Sequence, residues 1–142
     1  MIYTDTSALL KRYLHEAFSE EFDAFFLSRG PLAISRLNLV EARCSLARRR
    51  RGGLIDSDVE NGAWRELHND IHDAALRLHM IADEQVAEAS RLIESLPGIA
   101  LRSLNAIHLA IAREIQATAF ATADRIQAEA AEALGLTVHR FY

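Results

Sequence analysis

The sequence predicts an α/β domain in which a central parallel sheet is covered by helices on both faces. Short apolar segments of strand character alternate with stretches of helical periodicity along the whole chain. No tight hairpin signal joins two of the strand segments, so each strand must reach its neighbour through a helical crossover. Asp, Ser and Thr follow several strands directly, where the free N–H groups of a first helical turn need acceptors.

Ile2 and Tyr3 open the chain as a β-prone segment, and Ser7 to about Leu14 reads as a short helix. Phe18, Phe22, Phe25 and Phe26 recur at helical spacing until Arg29-Gly30-Pro31 stops them. Leu32 to Ile34 reads as a strand. Ser35 or Asn38 then opens a third helix ending at Gly52-Gly53, and Asp56 to about Leu76 forms a fourth, with Trp64, Leu67 and Ile71 on one stripe. Leu78 to Ile81 is expected as a strand, and Asp83 to Leu96 as a helix closed by Pro97-Gly98. Ser103 is the expected cap of a helix over Leu104 to Ile115. Ala119 to Thr122 is a small-residue strand, Arg125 to Leu134 a helix stopped by Gly135, and Thr137 to Phe141 a closing strand.

At 142 residues, half hydrophobic and a quarter charged, residues 1–142 fit one globular domain with a core of its own. No run approaches membrane-spanning length and no secretory signal is evident, so the expected location is the cytoplasm. The lone Cys44 cannot form an internal disulfide and reads as a small buried side chain. A net charge of -4 argues against indiscriminate nucleic-acid binding by the whole surface. It leaves room for a local basic patch, and Arg48 to Arg51, with Arg43 before them, is the strongest candidate. The alternative is a solvated helix end whose cations complement the helix dipole.

The chemistry-bearing pattern is acidic. Asp5 ends the first strand and Asp124 follows Ala119–Thr122, each beside a hydroxyl, in T-D-T-S and T-A-D-R; Glu41 lies near the start of the third helix. Each acid alone has a structural explanation: Asp5 and Asp124 as helix caps, Glu41 in a capping box with Asn38. Together they place carboxylates at the carboxyl edge of one parallel sheet, where ligands of such sheets gather. Carboxylates brought together repel unless a cation neutralises them, and hard cations such as Mg²⁺ or Mn²⁺ prefer these oxygens. Such a site suits phosphate esters. His68 and His72 have ligand spacing but lack the glutamate of a zinc-protease helix. His108, one turn after Asn105, is either near the site or a hydrogen-bonded structural histidine.

Four segments in order, MIYTDTSALLKRYLHE, SRLNLVEARCSL, LRSLNAIHLAIA and FATADRIQAEAAEALGLTV, resemble the successive motifs of PIN-domain ribonucleases, specifically the VapC-type toxins of bacterial toxin-antitoxin pairs. The resemblance implies a three-layer α/β/α sandwich whose acids bind Mg²⁺ or Mn²⁺ and hydrolyse RNA. It places Asp5, Glu41 and Asp124 on acidic positions of the site, and Thr6 and Thr122 on its flanking hydroxyl positions. Asn105 occupies a position usually held by Asp. Arg102 and the arginine run are phosphate-clamp candidates. The resemblance further implies a homodimer and a small antitoxin that places a basic side chain at the acids, with part of the phenylalanine stripe as its seat. Because Asn105 removes a charge, an alternative is a PIN-fold module that holds RNA or an antitoxin without efficient turnover.

Overall fold

The computed structural model describes Met1–Tyr142. Its five strands are β1 (Ile2–Thr4), β2 (Leu32–Ser35), β3 (Leu76–His79), β4 (Ala119–Thr122) and β5 (Thr137–Arg140). All are paired parallel, in the order β3-β2-β1-β4-β5. The helices are α1 (Thr6–Leu9), α2 (Ser19–Arg29), α3 (Arg36–Arg51), α4 (Ser57–His72), α5 (Asp83–Ser95), α6 (Ser103–Glu114) and α7 (Arg125–Ala133). A 3₁₀ turn, Leu10–Arg12, follows α1.

Side chains alternate across the strands and divide the core in two. Leu32, Ile34, Leu76 and Ala121 point to one face, where Leu9, Phe22, Phe26, Leu46 and Leu67 from α1 to α4 pack on them. Tyr3, Ala33 and Phe120 point to the other, beneath Leu92, Leu109, Ile111 and Ala130 from α5, α6 and α7. The three-layer sandwich expected from the sequence is thus present, with both faces of the sheet buried. Gly135, at φ 83°, ends α7 as expected; its N–H donates to the Glu132 carbonyl at 2.9 Å.

Several local expectations need correction. The third strand is Leu76–His79, two residues before the expected Leu78–Ile81, because Leu32 to Ser35 pair with Leu76 to His79 in continuous register. Accordingly α4 stops at His72 rather than near Leu76, and Ala74, at φ 60°, turns the chain into the strand. The helix expected to run to Leu14 ends at Leu9 and tightens into the 3₁₀ turn. Phe18 is not a helical residue: at φ 67° it stands at the N-cap of α2. Ser103 is already inside α6, whose N-cap is Arg102. Cys44 is exposed rather than buried.

Candidate metal and phosphate site at the carboxyl edge

Beyond the ends of β1 and β4 the chain turns straight into helices, and Asp5 and Asp124 are the N-caps of α1 and α7. Each divides its two oxygens, one on the helix cap and the other on a side chain of a neighbouring element. Asp5 Oδ1 accepts from the Ala8 amide at 3.1 Å and the Ser7 hydroxyl at 2.7 Å, while Oδ2 accepts from the Thr122 hydroxyl at 2.5 Å. Asp124 Oδ1 accepts from the amides of Ile126 and Gln127 at 2.8 and 3.1 Å, and Oδ2 accepts from Asn105 Nδ2 at 3.3 Å. Gln127 does not complete a capping box; its Nε2 donates to the Asn105 carbonyl at 3.1 Å.

Glu41 caps nothing. At the start of α3 the capping box is formed by Ser35 and Asn38, whose Oδ1 accepts from the Ser35 amide at 2.8 Å. This frees Glu41 to lean toward α1 and α6. Its Oε1 accepts from the Thr6 hydroxyl at 2.7 Å and from His108 Nε2 at 2.5 Å. No donor bonds to Oε2.

Burial acts on the acids in opposite net senses. Asp5 is 4 % exposed, and loss of water pushes its carboxyl above the usual range despite the nearby His108 and its three donors. Burial pushes Glu41 up as well, but the bond and charge of His108, helped by Thr6, overcome it and hold the carboxyl below its usual range. A low-lying and a high-lying carboxyl therefore face the same edge of the sheet.

Thr6, Ser7, Glu41 and Asn105 line one wall of a cavity of about 640 Å³, which Arg48, Arg49 and Arg102 flank. Arg49 is partly spent on Glu16, at 3.3 Å. Arg48 and Arg102 form no ion pair within the chain and remain available to an anion. Thr6 and Thr122, on the flanking hydroxyl positions, turn their hydroxyls onto Glu41 and Asp5. His68 and His72 lie outside the site: the His68 ring packs on Trp64 with centroids 4.4 Å apart, and His72 bonds to Asp73.

Sequence reasoning did not assign Tyr3 and Ser7 to the site. Ser7 bridges Asp5 and the Ala123 amide, to which it is bonded at 2.9 Å. Tyr3 lies under the site and bonds to His108 Nδ1 at 2.7 Å. The inward side of β1 was a signal for Tyr3; nothing local marked its partner.

The donor set fits a hard divalent cation, since Asp5, Glu41, Asp124 and the Asn105 amide offer only oxygens as ligands. No group of three or more His, Cys, Asp or Glu side chains is placed to hold a metal ion together. Mg²⁺ does not require one, because it commonly takes one or two carboxylates and keeps waters or substrate phosphates as its other ligands.

The carboxylates stand at the carboxyl edge of a parallel α/β sheet, where ligands of such sheets gather. The chain belongs to the PIN-domain family, whose model, described as PIN domain, matches residues 2–133. No curated protein matches it. Among solved structures it is similar to the Mycobacterium tuberculosis toxin VapC20, which cleaves the sarcin-ricin loop, at TM-score 0.74 and 16 % identity over 96 % of this chain and 97 % of that one. FitAcB from Neisseria gonorrhoeae is similar at TM-score 0.71 and 18 % identity, with 97 % and 96 % covered. VapBC2 from Rickettsia felis, bound to a DNA fragment from its promoter, gives TM-score 0.65 and 14 % identity, with 100 % of both chains covered. At these identities the likeness is one of fold.

Proposed function

We propose that this chain is a divalent-metal-dependent endoribonuclease and acts as the toxin of a toxin-antitoxin pair. The observation that carries this reading is the placement of Asp5 and Asp124 at the carboxyl ends of β1 and β4, with Asn105, bonded to Asp124, and Glu41 lining a cavity flanked by Arg48 and Arg102. When bound, Mg²⁺ or Mn²⁺ supplies neutralisation of the carboxylates and of charge developing on the phosphoryl oxygens, and makes water more acidic. Asp5, Asp124 and Asn105 are the groups that would hold the ion. Glu41 Oε2, free of internal bonds, completes the ligand set or takes the proton of the attacking water. Arg48 and Arg102 grip the backbone phosphates on either side.

The likeness in fold to FitAcB and VapBC2 supports an antitoxin as the second component. Of the phenylalanine stripe, Phe22 and Phe26 are core residues while Phe18 is exposed, which leaves only part of the stripe for that partner. An apolar groove between α3 and α4, lined by Leu39, Val40, Cys44 and Trp64, adjoins the acidic cavity through Val40 and Cys44 and is the better seat. A homodimer and a cytoplasmic location belong to the same reading. No helix is long and apolar enough to cross a membrane.

The bond from Asn105 to Asp124 favours a second reading. A neutral amide already occupies the Asp124 oxygen, so the chain would hold RNA or an antitoxin with little turnover. End-labelled RNA incubated with the purified chain under a Mn²⁺ titration separates the two. Metal-dependent cleavage, lost in Asp5→Asn and Asp124→Asn variants that remain folded, is expected. Undiminished cleavage by either variant refutes the nuclease assignment, and RNA retention without cleavage at any Mn²⁺ concentration supports the binding module.

A further inference from the structure

Below the carboxylates lies a buried polar chain that neither the metal site nor the RNA cavity uses. It starts in the sheet, where the Tyr3 hydroxyl meets Ser35 Oγ at 2.9 Å, Asn38 Oδ1 at 3.1 Å and His108 Nδ1 at 2.7 Å. Tyr3 is 0 % exposed and His108 2 %. Asn38 is itself fixed, its Nδ2 donating to the Thr4 carbonyl at 3.0 Å. At the upper end His108 Nε2 contacts Glu41 Oε1.

The contacts fix the His108 ring. A carboxylate oxygen only accepts, so Nε2 must carry a proton. Asn38 Oδ1 only accepts as well, so the phenol O–H donates to it at 3.1 Å, and the 2.7 Å contact to Nδ1 seats the His108 ring on the phenol oxygen. Ser35 Oγ lies 2.9 Å from the same oxygen, so every buried group in the row has a partner. The row ends on a single atom. His108 and Thr6 both address Glu41 Oε1, which leaves Oε2 without an internal donor and turned to the cavity.

We propose that Tyr3 and His108 are positioning residues: the buried row Ser35, Tyr3, His108, Glu41 seats the His108 ring so that its Nε2–H pins one Glu41 oxygen and the other is left for the cleft. A carboxylate on a flexible side chain would otherwise rotate and offer either oxygen to the nearest donor. Held this way, Glu41 keeps one orientation before any ligand arrives. The geometry of the chain stands by itself, while its effect on cleavage rests on the proposed nuclease activity.

Nitrogen-15 spectra of the histidine rings in the full-length, folded chain test it, with the His108 signals assigned by their loss in His108→Gln. In the wild type, Nε2 is expected to carry a proton in slow exchange with water; in Tyr3→Phe, which releases the ring, that exchange is expected to quicken. In RNA cleavage at saturating Mn²⁺, His108→Ala is expected to lower kcat at least about tenfold, equivalent to about 1.4 kcal/mol, with KM within about twofold. His108→Gln, which keeps an N–H donor, is expected to recover part of that loss. The wild-type spectrum decides the wiring even where a variant fails to fold: an Nε2 without a proton overturns the chain. Unchanged kcat in His108→Ala overturns the positioning role. A wild type that cuts no RNA but shows the Nε2–H ring upholds the wiring and counts against the nuclease.

Discussion

Replacing Asn105 by Asp tests whether position 105 belongs to the working site, and its effects with and without metal should have opposite signs. The substitution removes the 3.3 Å bond from Asn105 Nδ2 to Asp124 Oδ2, worth about 1 kcal/mol net. In its place two carboxylates face each other. Unit charges about 4 Å apart repel by about 1 kcal/mol in water and about 4 kcal/mol at an effective dielectric constant of 20. Both side chains are half-buried, which puts the repulsion nearer the lower figure, and the N-terminal dipole of α6 offsets roughly 0.5 kcal/mol of it. The metal-free variant is thus expected to lose about 2 kcal/mol, a fall in melting midpoint of roughly 6 °C for a domain of this size. A divalent ion between the acids reverses the sign, so Mn²⁺ should raise the variant's midpoint more than the wild type's. RNA cleavage should then be at least about tenfold faster, equivalent to about 1.4 kcal/mol of transition-state stabilisation. Thermal melts in chelator and in Mn²⁺, followed by cleavage rates over the same titration, measure all three effects. Equal midpoints in chelator together with equal rates at every Mn²⁺ concentration would show that position 105 stands outside the site.

Asp5 carries a pH signature. Its folded-state carboxyl lies above its unfolded value because of burial, so its contribution to stability is full below the unfolded carboxylate range and lost as pH rises through the folded value. Metal-free Asp5→Asn, which lacks this limb, is expected to melt above the wild type at pH 7; a lower midpoint in chelator at that pH would contradict the burial argument. Phe22 is 0 % exposed and meets Phe141 edge-on at 5.0 Å, so Phe22→Ala should cost about 3–5 kcal/mol in urea unfolding, whereas a loss under about 1 kcal/mol would return the ring to the partner surface. Arg48→Ala and Arg102→Ala should raise KM for RNA severalfold, leave kcat within about twofold and flatten the salt dependence of binding. Identical salt slopes in wild type and variants would place the phosphate contacts elsewhere.

The legible part of this molecule is what local rules govern. Asp5 and Asp124 stand at strand-to-helix joints, where capping demands an acceptor, and parallel topology then carries both to the same edge. The placement of both acids was therefore visible without coordinates. Register was harder to see: Leu78 to Ile81 is the more apolar run, yet pairing of Leu32 with Leu76 wins because Ala74 turns the chain earlier. Ser103 has the chemistry of a cap, but the first helical bond comes from the Ala106 amide to the Arg102 carbonyl, one residue upstream. Glu41 and Asn38 have capping-box spacing, but Ser35 supplies the cap and Asn38 completes the box with it, releasing Glu41. The union of Tyr3 with His108 spans 105 positions, and no period, cap or motif encodes a contact of that separation.

The place of β1 at the centre of the sheet has a consequence for the order in which the protein comes into being. β1 must wait for a much later segment: Ile2 to Thr4 align with Ala119 to Ala121, and the Asp5 to Thr122 bond closes a span of 117 residues. Until that late segment leaves the ribosome, β1 has only β2 as a neighbour, and neither Asp124 nor the hydroxyl that holds Asp5 is present. Pairings this distant are slow to form, because loop closure precedes any gain from contact. Synthesis therefore withholds the completed carboxyl edge, and with it the proposed nuclease site, from a chain that has not reached β4. Chains stalled on ribosomes before Ala119 should accordingly be protease-sensitive and inert toward RNA, and measurable cleavage by them would contradict this dependence on β4.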